Sequence, residues 1–64
     1  MLLVGVGDRV RFSYHGIRRI GFVQGPAEEI ADGWVIREEG TEIRRRVTAA
    51  QIHELLTASP RKVK

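Results

Sequence analysis

Apolar and charged positions alternate at the start of the chain. Val10, Phe12 and Tyr14 interleave with Arg9, Arg11 and Ser13. Successive side chains of a strand point to opposite faces, so this pattern predicts a half-buried strand with a cationic outer side. A second run over residues 17–23 follows His15-Gly16 and predicts a hairpin. If Val10, Phe12 and Tyr14 face a core, Ile20 and Phe22 are expected to join them. A two-residue loop at His15-Gly16 would set Phe12 opposite Arg19, on the wrong face. An odd-length loop over residues 15–17 is therefore expected, pairing Phe12 with Ile20 and Val10 with Phe22. That register leaves Arg9, Arg11 and Arg19 outside.

A second hairpin is expected from residues 33–38 and 41–47, turning at Glu39-Gly40. A two-residue turn there pairs Arg37 with Glu42, Ile36 with Ile43 and Trp34 with Arg45. Arg45 shares parity with the apolar Ile43 and Val47, and stacking on the Trp34 indole would spare its guanidinium burial. Residues 26–32 read as a mobile acidic loop between the hairpins, with Ile30 as its anchor. Thr48-Ala49-Ala50-Gln51 fits a capping box, so a helical segment starts there. Residues 52–57 are open to two readings, a continued helix or one helical turn followed by a short closing strand over 53–56, and the second is preferred. Turn signals recur at short, fairly regular intervals, which favours an all-β sandwich or barrel.

Size narrows this further. A chain of 64 residues makes one domain. It buries only about 60% of its unfolded surface, so a barrel is a better fit than a sandwich. With no cysteine it has neither disulfide nor thiolate metal site, which fits a reducing, cytoplasmic setting. The apolar residues 1–6 are too short for a signal peptide or a membrane span and read as an N-terminal arm or leading strand. The barrel is expected over residues 7–57, and residues 58–64 form a flexible basic tail with Arg61, Lys62 and Lys64.

Three segments, Gly7-Asp8-Arg9-Val10-Arg11-Phe12, Gly21-Phe22-Val23 and Val47-Thr48-Ala49-Ala50-Gln51-Ile52, resemble the SH3-like small β-barrels, and most of all their KOW and Tudor-like modules. The resemblance implies five strands with a short helical turn at residues 48–52 before the last. Such barrels bind nucleic acids, peptides and protein subunits, so the fold alone selects no function.

Charge suggests the function. The net charge is +3, and nine of the eleven cations are arginine. Arginine forks match phosphate and carboxylate geometry. Residues 9–25 hold four arginines and no acid, residues 26–42 are acidic, and residues 43–64 are basic again. That order favours a directional surface. Arg9, Arg11, Arg19, Arg44 and Arg46 take outward parity and form one patch if the hairpins are neighbours. The leading expectation is a non-enzymatic module holding DNA or RNA by its phosphates, with Trp34 as a stacking platform. A protein-interaction module or small regulatory subunit is second, and a homo-oligomer stays open. Arg44-Arg45-Arg46 reads equally as an anion site and as protection of an exposed edge. His15 and His53 lack a partner at ligand spacing, so no metal is expected. No nucleophile–base set or phosphate loop stands out, so no cofactor or catalytic residue is expected. No membrane role is expected, and an enzyme would need a pocket built by an oligomer.

Overall fold

A computed structural model describes residues 3–60. It contains five strands: β1 (Arg9–Tyr14), β2 (Ile17–Ala27), β3 (Gly33–Glu38), β4 (Arg44–Thr48) and β5 (Ile52–Thr57). A single 3-10 turn, Ala49–Gln51, joins β4 to β5. All neighbouring strands are antiparallel, in the order β4-β3-β2-β1-β5.

The expected SH3-like barrel does not form. β4 and β5 are the two ends of the sheet and do not pair, so the sheet stays open. The three-residue turn sends β5 across to the far side of β1 instead of back along β4. The KOW and Tudor-like resemblance, carried by three sequence segments, implied a barrel that this open sheet does not form, and it falls with that barrel. The preferred reading, one helical turn and then a short strand over 53–56, is right about the strand, which runs Ile52–Thr57, but the strand extends the sheet and does not close it.

The open sheet still encloses a core. Val10, Phe12, Val23, Ile36, Val47 and Ile52, drawn from all five strands, form one buried cluster. A flat single layer cannot exclude water from such a set, so the sheet curls over its inner face. Bulges supply the bend. One falls between Val23 and Gly25 of β2, and two more interrupt the β1–β5 pairing.

Both hairpin registers differ from expectation. His15 and Gly16 adopt φ of 52° and 77°, so they form a two-residue turn of the primed kind that matches strand twist. Tyr14 pairs with Ile17 and Phe12 with Arg19. Val10 and Phe12 face inward as expected, with Tyr14 packed against them, but their β2 companions are Gly21 and Val23. Ile20 and Phe22 lie outside, opposite Arg11 and Arg9. In the second hairpin the loop spans residues 39–42 and closes at the Glu38 N–H to Ile43 carbonyl bond, 2.8 Å. The Thr41 hydroxyl holds this longer loop, donating to the Glu38 carbonyl (2.9 Å) and accepting from Ile43 N–H (3.0 Å). Arg37 consequently faces Arg44, Ile36 faces Arg45 and Trp34 faces Val47. A shift of two residues preserves the faces while changing every partner.

Asp8 ties the ends of the chain together. Its buried carboxylate accepts Gly5 N–H at Oδ2 and Ser59 N–H at Oδ1, both at 2.8 Å. Among residues 3–6 there is no strand, and Val4 packs on the core. The expected tail cations Arg61, Lys62 and Lys64, and residues 1 and 2 of the N-terminal arm, lie outside the described residues.

Candidate nucleic-acid interface

Because β2 pairs with β3, the two hairpins lie side by side and share one outer face. Cross-strand pairing sets a row across it: Arg44 of β4 opposite Arg37 of β3, Arg37 opposite Phe22 of β2, and Phe22 opposite Arg9 of β1. Arg11 lies one register along, between Ile20 and Glu54, and Arg46 lies opposite Val35. Arg9, Arg11, Arg44 and Arg46 are thus brought onto one face.

Arg19 is not with them. Opposite Phe12 it takes inward parity, and its guanidinium is partly buried beside Glu38 (2.9 Å). Trp34 is not with them either. It shares parity with Ile36 and packs against the core from the other side of the sheet, so it offers the arginine row no stacking platform. Arg45 stacks on Tyr14, 4.7 Å from its ring centroid, and not on the indole.

Carboxylates occupy several arginines. Arg9 holds Glu39 at 3.0 Å, Arg46 holds Glu29 at 3.5 Å, and Arg11 pairs with Glu54. Glu38 bridges Arg19 and Arg45. Partial withdrawal from water pushes the Glu38 carboxyl up, but hydrogen bonds from Arg45 and Arg19, and their charges, together outweigh it and hold it below its ordinary value. Among the described residues, neither Arg44 nor Arg37 has a carboxylate partner. Arg37 instead donates to the Thr41 carbonyl at 3.1 Å, and its guanidinium lies 5.3 Å from the centre of the Phe22 ring. These contacts orient the fork while leaving N–H groups to spare.

Arg37 and Phe22 were not among the expected site residues. Both were missed because the expected registers gave Arg37 an acidic neighbour and put Phe22 in the core. For Phe22 the signal available was His15-Gly16, a dipeptide able to make the tight turn, whereas Arg37 was misplaced by the longer 39–42 loop that Thr41 holds. His15 lies edge-on to Tyr14, and His53 meets the Ser13 hydroxyl at 3.0 Å. Among the described residues, no group of three or more His, Cys, Asp or Glu side chains could hold a metal ion, and no helix is long and apolar enough to cross a membrane. No family model, curated protein or solved structure matches the chain.

Proposed function

We propose that this protein is a small non-enzymatic module that binds nucleic acid through its phosphates, using the outer face of the open sheet. One observation carries the reading. Arg37 and Arg44 oppose each other directly across β3 and β4, with no carboxylate on either among the described residues. Like charges directly opposite destabilise a sheet. An anion between them converts that repulsion into two charge-assisted hydrogen bonds. Arg9 continues the row beyond Phe22, and Arg11 and Arg46 flank it. Phe22 is covered by Arg37, so phosphate contact rather than base stacking is the mode proposed.

Titration of a fluorescent DNA duplex and of a single-stranded RNA against salt tests this. Affinity should fall steeply with salt, and Arg44→Ala should flatten the logarithmic slope on duplex DNA by about 0.9. Absence of binding to either polymer at low ionic strength would sink the reading. A protein partner is the second reading. It is favoured by Ile17 and Ile43, which are 54% and 47% exposed at the hairpin-turn end of the sheet. A stoichiometric protein partner retained after nuclease treatment would select it.

A further inference from the structure

The inner side of the sheet carries a second feature, away from the arginine row. Trp34 lines an open cleft with Leu3, Pro26 and Ile30 as apolar walls, and Glu28 and Asp32 contribute to the same lining. Leu3 is 90% exposed there. The two acids stand apart from most others in the chain. Glu29, Glu38, Glu39 and Glu54 each hold an arginine, whereas Glu28 and Asp32 hold none among the described residues. In a chain with an excess of cations, two acids without an arginine partner among the described residues thus line the same cleft as the indole.

Backbone hydrogen bonds hold the cleft's loop. Ile30 N–H donates to the Ala27 carbonyl at 3.1 Å, Gly33 N–H to the Ile30 carbonyl at 2.9 Å, and Ala49 N–H to the Asp32 carbonyl at 2.9 Å. Asp32 sits at a φ of 55°.

We propose that this cleft receives a cationic side chain, arginine or lysine, from a partner peptide. The chemistry of each wall matches one part of that side chain. Among aromatic side chains, an indole attracts a cation to its face most strongly. The carboxylates complement the charged tip, and the apolar walls cover the methylene stem. A purely apolar occupant would leave both carboxylates without a partner, and an anionic one would be repelled by them.

Trp34 is the only tryptophan, so its emission reports on the cleft directly. The probes are acetyl-Ala-Arg-Ala-amide and its citrulline counterpart, which keeps the shape and removes the charge. The arginine peptide should change Trp34 emission saturably, with weak, salt-sensitive affinity. The citrulline peptide should bind roughly fivefold or more weakly, the scale set by two surface ion pairs and a cation–π contact. The double variant Glu28→Gln/Asp32→Asn should lose arginine binding by a similar factor. Asparagine tolerates the positive φ at position 32, so the turn is kept. Equal affinity for the two peptides, no saturable response, or undiminished binding by the double variant with an unchanged denaturation midpoint would each overturn the proposal. Neither Arg37 nor Arg44 lines the cleft, so this result and the nucleic-acid titration are read separately.

Discussion

His15 decides which side of the sheet its neighbours occupy. At φ 52° it fills the first position of a two-residue turn, and Gly16 at φ 77° fills the second. A left-handed backbone costs an ordinary L-residue about 1–2 kcal/mol, whereas asparagine offsets part of that by local hydrogen bonding. His15→Asn should therefore leave the urea midpoint unchanged or raise it. His15→Val should lower stability by about 1–2 kcal/mol, because a β-branched side chain resists positive φ. Asp8 acts through its acceptors. Asp8→Ala leaves the part-buried Gly5 N–H and Ser59 N–H without their buried partner. Equilibrium urea denaturation should show a loss of about 2–4 kcal/mol, on the scale of orphaned buried donors.

At the level of elements, Glu38 joins β2, β3 and β4 through Arg19 and Arg45. Its folded-state pKa is lowered, so its contribution to stability is present above the unfolded value of about 4.3 and is lost as pH falls through the folded value. Wild type should lose urea resistance on acidification through that window, and Glu38→Gln should lose less. Equal slopes would show that the bridge contributes nothing. Gly21 explains how β2 and β3 approach so closely here. A Cβ on it would lie 2.5 Å from the Arg37 carbonyl oxygen. Much of this arrangement was legible in the sequence. Alternation located β1 and its inward Val10 and Phe12, and the Thr48–Gln51 pattern marked the turn before β5. The outer positions of Arg9, Arg11, Arg44 and Arg46 followed from parity. The places of Arg19, Ile20 and Phe22 did not, because apolar residues stand on the outside of β2 and a charged one on the inside. Hydrophobic pattern and turn geometry disagreed there, and the turn prevailed. Sheet closure was also illegible, since it depends on where β5 docks and not on any strand's own pattern.

For the whole molecule, the proposed binding of a polyanion sets that ligand in competition with the outer face's own carboxylates. Three of its arginines are already paired, which lowers the positive potential that Arg37 and Arg44 present. Exposed pairs of this kind are worth about 0.2–1 kcal/mol each. A phosphate chain can therefore displace Glu39 and Glu54 from Arg9 and Arg11 at small cost. Removing those carboxylates should help binding rather than harm it. Glu39→Gln and Glu54→Gln should each tighten nucleic-acid binding by roughly two- to fivefold at fixed salt, the range those pair energies set. The double variant should also steepen the salt dependence, since two more cations become available to phosphates. Its fold should survive, because both acids are exposed. If the two substitutions weaken binding, these carboxylates position the arginines instead of competing for them. In that case the ion pairs belong to the recognition surface itself, and a partner with mixed charge, a protein and not a polyphosphate, fits the face better.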